Sequence, residues 1–105
     1  MQGTEVHDDA ERSAYEITVD GVHAGHAFRE LRDGRTVFTH TEIDDAFGGR
    51  GIGGELARGA LDDVRAQGGL VVPECDFLAG WIARHPDYLD LVDPADRDRV
   101  RALAG

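Results

Sequence analysis

One stretch constrains this chain more than any other: Gly48-Gly49-Arg50-Gly51-Ile52-Gly53-Gly54, five glycines between a strand-like run and a helix-like run. Ahead of it, Thr36 to Ile43 is rich in β-branched and aromatic residues. Behind it, Ile52, Leu56, Ala60 and Val64 recur at the spacing of one helix face. Glycines at such a junction adopt backbone angles that a side chain forbids, and they let a ligand approach the main chain. The first helical turn then offers unpaired N–H groups and the positive end of the helix dipole, a setting that suits a phosphate. On the glycine count alone, a plain flexible connector explains the stretch equally well. No Gly-Lys-Ser/Thr is present, which argues against a nucleotide-hydrolysing P-loop. Several strand-like segments come first and no acidic residue closes the next strand, which argues against a dinucleotide fingerprint.

The rest of the chain supplies the frame. Met1 to Arg12 is polar and reads as a loose, flexible lead-in, leaving residues 13–105 as a single domain. Ser13 to Val19 alternates, with Tyr15, Ile17 and Val19 on one face, as in a half-buried strand. Asp20-Gly21 is a two-residue hairpin signal. Val22 to Leu31 is the returning strand, with Val22, Ala24, His26 and Phe28 expected on one face. Asp33-Gly34 is a second turn, and Thr36 to Ile43 a third strand, so three strands form an antiparallel meander. The helix after the glycines should stop near Gln67, before Gly68-Gly69. Leu70 to Pro73 is a short strand that a crossover places parallel to the third. Asp76 to His85 reads as a helix capped by Asp76 and ended by Pro86, with Phe77, Trp81 and Ile82 on its buried side. Asp87 to Val92 is a short turn or helical piece, and Asp93-Pro94 opens a terminal helix to Leu103. The fold class is α/β.

Charge narrows the partners. A net charge of −10 argues against a nucleic-acid surface. An anionic ligand would need local donors such as backbone N–H groups and Arg50. The single cysteine allows no internal disulfide. No apolar run spans a membrane, and the polar N-terminus is unlike a signal peptide, so a cytoplasmic protein is expected, as monomer or weak dimer.

A meander, then a strand, a glycine loop, a helix and a parallel strand is the central order of the GNAT acetyltransferases. The residues agree. Gly48-Gly49-Arg50-Gly51-Ile52-Gly53 resembles the family's Gln/Arg-x-x-Gly-x-Gly/Ala signature at Gly51 and Gly53, and departs from it at Gly48. HTEID before the loop and VVPECDFLAGWIARHPDYLDLV after it are similar to the small, minimal GNAT-type N-acetyltransferases, from about Tyr15 to Val92. The resemblance implies acetyl-CoA as cosubstrate and an amine acceptor (small molecule or protein). Backbone groups of Glu42, Ile43 and Asp44 would then pair with the pantetheine arm like an added strand. The N–H groups of Gly49, Arg50, Gly51, Ile52, Gly53 and Gly54 would hold the pyrophosphate. An N–H near Ile43 would stabilise the oxyanion.

The resemblance also places Cys75 beside the acetyl group, as a nucleophile or a lining residue; otherwise it is a small buried hydrophobe. His40 and Glu42 share one strand face and are candidates for the base, or else solvated polar residues. Tyr88 is a candidate acid for the leaving thiolate, with packing against Trp81 the preferred reading. His7, His23, His26 and His85 form no convincing metal set with Cys75. A binding module with little catalysis, holding CoA or acetyl-CoA as a sensor, is the alternative function.

Overall fold

The computed structural model describes residues 3–104. Five strands form one sheet in chain order: β1 (Thr4–Asp9), β2 (Ala14–Val19), β3 (Val22–Arg32), β4 (Arg35–Ile43) and β5 (Leu70–Pro73). The first three neighbour pairs are antiparallel, and β4 and β5 are parallel. Asp20 (φ 51°) and Gly21 (φ 82°) are both left-handed, as are Asp33 (φ 52°) and Gly34 (φ 78°). Two successive positive φ values mark type I′ turns, whose twist suits tight hairpins.

β1 replaces the loose lead-in expected before residue 13. It pairs with β2 from Thr4↔Val19 to Asp9↔Ala14. Its apolar anchor is Val6, which packs against the core. A Cβ placed on Gly59 would lie 2.7 Å from the Val6 Cβ, so the glycine is what lets the helix lie so close to β1. One valine in a polar hexapeptide is too weak a signal to read as a strand.

Helix α1 (Ile52–Ala66) lies on one sheet face and buries Ile52, Leu56, Ala57, Ala60, Leu61 and Val64. Against them the sheet presents Tyr15, Ile17, Val19, Ala24, Ala27, Phe38 and Val71. Helix α2 (Asp76–Arg84) packs beside α1 and buries Leu78, Ala79, Trp81 and Ile82. Phe77 is not on that buried side: it is 39% exposed and lies over Gly53. Cys75, not Asp76, occupies the cap position, so Asp76 becomes the first helical residue. The terminal helix is broken into 3-10 and α pieces, with α3 spanning Arg97–Arg101. Asp93 caps the start of that segment by accepting from Ala95 N, and its own N–H donates to the Val71 carbonyl. The chain end thereby covers part of the outer edge of β5.

Two bulges set which side chains share a face. Ile17 pairs with Gly25 but Thr18 with His23, so Ala24 is the extra residue on β3. Phe28 pairs with His40 but Arg29 with Phe38, so Thr39 is the extra residue on β4. A bulge reverses the alternation beyond it. Ala24 and Ala27 therefore turn to the core, while His26 and Phe28 stay on the open face, and the single face expected for Val22, Ala24, His26 and Phe28 does not form.

Candidate active site

β5 accompanies β4 only from Arg35↔Leu70 to Phe38↔Pro73. Pro73 has no N–H with which to extend the ladder. The Cys75 N–H makes one last bond to the Phe38 carbonyl at 2.9 Å, and α2 then leads the chain away. At the same level the Thr39 bulge deflects β4. The segment from Thr39 to Ile43 continues with no strand of the described residues beside it on that edge. The N–H of Asp44 donates to Ala24 on the β3 side. By strand alternation the Ile43 N–H faces the open edge instead. Asp44 thus cannot offer its N–H to an added strand; its carboxylate accepts from Ala46 N and caps a single 3-10 turn.

The glycine loop meets this edge. Gly49 (φ 78°) and Gly51 (φ 74°) are left-handed, and nothing lies within 4 Å of where a Cβ would sit on either. The first intrahelical bond of α1 runs from Glu55 N to Gly51 O. The N–H groups of Ile52, Gly53 and Gly54 precede it and point out of the helix start. An imagined Cβ on Gly53 would be 2.7 Å from Phe77 and 3.6 Å from Ile43, and one on Gly54 would be 3.3 Å from the Trp81 indole nitrogen. The glycines therefore form a cradle: Gly49 and Gly51 supply left-handed turns, and Gly53 and Gly54 leave little room for side chains between α1, α2 and the end of β4. Its donor set and helix dipole fit a diphosphate. The Arg50 guanidinium lies 5.5 Å from the centre of the Phe47 ring, beside the loop.

The catalytic candidates separate onto two faces. The Cys75 thiol is buried and lies 3.3 Å from the Thr41 hydroxyl, on the core side. His40 and Glu42, on either side of Thr41, project to the opposite face. Glu42 lies there between two imidazoles: Oε1 hydrogen-bonds His40 Nε2 at 3.1 Å, and Oε2 is 3.2 Å from His26 Nε2, a buried nitrogen in contact with it but without hydrogen-bond alignment. These contacts, with His40 the stronger influence, hold the Glu42 carboxyl below its ordinary range. Beside it opens a cleft of about 400 Å³ lined by His23, Gly25, His26, Glu42, Ile43, Asp44 and Asp45. Of these, sequence reasoning had not placed His23, Gly25, His26 or Asp45 at the site.

Tyr88 is not placed for acid chemistry in this gap. Its hydroxyl donates to Asp62 at 2.7 Å and accepts from Arg58 at 3.1 Å, along the second and third turns of α1. Burial and the Asp62 carboxylate push its pKa up. Its ring packs 5.2 Å from Trp81, the packing role expected for it.

The sheet thus opens between its two parallel strands, with a glycine cradle at the opening. The family described as GCN5-related N-acetyl-transferase matches residues 14–91. The chain belongs to this family. Similar curated proteins include Protein NATD1 of Xenopus tropicalis, 30% identical over 93 residues that cover 85% of each chain. Protein NATD1 of Mus musculus is 28% identical, covering 85% of this chain and 84% of the relative. For a GCN5-related N-acetyltransferase domain, the α/β fold with its five-stranded sheet is the expected one. No helix among the described residues is long and apolar enough to cross a membrane.

Proposed function

We propose that this domain binds acetyl-CoA between β4 and β5 and transfers its acetyl group to an amine entering beside Glu42. One observation carries the reading. β5 leaves β4 at Phe38 while β4 runs on to Ile43, and the start of α1, where the N–H groups of Ile52, Gly53 and Gly54 have no intrahelical partner, lies beside the end of β4. The pantetheine arm then extends along the free edge of β4, and the diphosphate rests on the start of α1.

The chemistry follows from the groups present. An ammonium acceptor first gives one proton to the Glu42 carboxylate. The neutral nitrogen attacks the thioester carbonyl, and the oxygen's developing charge is met by the Ile43 N–H at the open edge. The new C–N bond forms as the C–S bond breaks. The second nitrogen proton ends on the departing sulfur, giving an amide, a thiol and one released proton. Cys75 lines the gap as a packed side chain held by Thr41, and transfer is direct. The acidic chain, at net charge −10, favours a cationic acceptor. Incubating the protein with acetyl-CoA and an amine panel, with mass detection of acetylated products, tests the reading. Product formation supports it; tight binding without product would leave a CoA-binding module in its place.

A further inference from the structure

The open face of the sheet carries a feature that acetyl transfer by Glu42 alone does not use. The registers His7↔Glu16, Glu16↔His26 and His26↔Glu42 align four side chains in one row across β1 to β4, alternating imidazole and carboxylate. His23 and His40 complete it. His7 Nε2 is 3.5 Å from Glu16 Oε1, and Glu16 Oε2 is 3.3 Å from His23 Nδ1. His23 Nε2 is 3.4 Å from His26 Nδ1, and His26 Nε2 is 3.2 Å from Glu42. The series closes on His40. Its ends are open to water, with the His7 and His40 side chains 52% and 59% exposed, while Glu16 and His26 in the middle are 19% and 22% exposed.

Imidazole holds and releases protons near neutrality and has two nitrogens through which to do so, and a carboxylate accepts hydrogen bonds from either. The His23–His26 contact is a hydrogen bond when one nitrogen carries a hydrogen and the other a lone pair. His26 is also fixed by its ring contact with Phe28, 4.6 Å between centres at 63°. It separates two depressions: the cleft at Glu42, and one of about 310 Å³ lined by Asp9, Arg12, Ala14, Glu16 and Phe28.

We propose that His26 and His23, backed by Glu16 and His7, are positioning residues for Glu42: they orient its carboxylate and take on the proton it removes from the acceptor amine. When Glu42 holds the proton, His26 carries its hydrogen on Nδ1. The proton passes from Glu42 to His26 Nε2, the His26 Nδ1 hydrogen moves to His23 Nε2, and the His23 Nδ1 hydrogen moves to Glu16, with His7 as the outlet, which leaves His26 Nε2–H facing the restored Glu42 carboxylate. The sum is one proton in at Glu42 and one out at the far edge of the sheet. The groups facing Glu42 are His40 on its own strand, His26 and His23 on β3, and Asp44 and Asp45 at the cleft lip.

This proposal rests on the acetyl-transfer reading, and two measurements keep the two apart. Carboxyl-carbon NMR follows Glu42 through its titration in the wild type, His26→Gln and His23→Gln, with no acceptor needed. Both variants are expected to raise the Glu42 midpoint, His26→Gln the more, although His23 does not touch Glu42. Acetyl transfer to Nα-acetyl-lysine amide is then followed against pH. The expected result is a kcat lower by about tenfold, as for a misaligned base, with KM for acetyl-CoA unchanged and the acid limb of the profile moved to higher pH. A Glu42 titration unmoved by His23→Gln would overturn the proposal, as would a loss confined to KM. Should His26→Gln fail to fold, His23→Gln decides, because its side chain is 40% exposed. If the wild type transfers no acetyl group, the functional reading falls, while the carboxyl titration still decides whether the row acts as a unit.

Discussion

Gly25 is the tightest point between the fold and the site, and replacing it by alanine has a consequence that can be worked out. A Cβ there would lie 2.6 Å from the Ile43 Cδ1, 2.7 Å from the Glu42 carbonyl oxygen and 3.3 Å from the Ile43 Cα. The side-chain atom can swing aside; the backbone oxygen and Cα cannot, since they belong to the β3–β4 ladder. Overpacking against fixed atoms costs up to about 3 kcal/mol. Removing a glycine from a strand returns about 0.5–1 kcal/mol through the unfolded chain. The net loss is about 2 kcal/mol, which for a domain near this size lowers the midpoint of thermal unfolding by roughly 8–16 °C. The strain falls on Glu42 and Ile43, so acetyl-CoA affinity should fall in the protein that remains folded. Urea unfolding with a calorimetric titration on the same sample measures both. Gly48→Ala is the control: its backbone is extended (φ −61°, ψ 144°) and its nearest neighbour is 3.4 Å away, so stability should hold within about 0.5 kcal/mol. A Gly25→Ala loss no larger than that of Gly48→Ala would refute the reasoning about strand spacing.

Other substitutions test separate parts of the account. Gly51→Val forces a β-branched residue to φ 74° and should destabilise the loop by about 1–2 kcal/mol, with acetyl-CoA affinity lost in calorimetry even in folded protein. Cys75→Ala should retain acetyl transfer within about tenfold, because direct transfer needs no thiol; complete loss with binding intact would restore a covalent role. Tyr15 is buried and donates to Asp63 at 2.6 Å, and burial holds its pKa far above the ordinary value. A raised folded-state pKa means that the stabilisation is complete below the ordinary tyrosine pKa near 10 and is lost as pH climbs past it. Urea midpoints across pH 8 to 11 should therefore fall more steeply in the wild type than in Tyr15→Phe, and parallel curves would contradict the assignment.

The parts of this molecule legible in its sequence are those encoded locally. Asp20-Gly21 and Asp33-Gly34 specify their turns by backbone conformation, and both turns form. The periodicity of α1 names Ile52, Leu56, Ala60 and Val64 of its buried face, which Ala57 and Leu61 complete. The glycine loop and the parallel β5 follow from short-range signals, and with them the cradle and the opening beside it. The open face was not legible, because register is a long-range property that a bulge changes silently. Counting from the Asp33-Gly34 turn in an unbroken ladder sets His26 opposite Thr41; the Thr39 bulge moves it to Glu42. Counting from Asp20-Gly21 sets Glu16 opposite Gly25; the Ala24 bulge moves it to His26. Without both shifts the histidines look scattered. The same alternation explains why Cys75, which meets Thr41, and the His40–Glu42 pair lie on opposite faces. β1 escaped notice for an energetic reason: its hold comes from backbone pairing with β2 and from Val6 against Gly59, and a glycine on a distant helix gives no sign of its partner.

The central claim is that the glycine cradle and the free edge of β4 together hold acetyl-CoA. Isothermal titration of the protein with acetyl-CoA, with NAD and free CoA in parallel and Gly51→Val as the loop variant, tests it most directly. The account expects one-to-one binding of acetyl-CoA, none of NAD, and loss of the acetyl-CoA signal in Gly51→Val. Binding that survives in that variant, or none in the wild type, would contradict it.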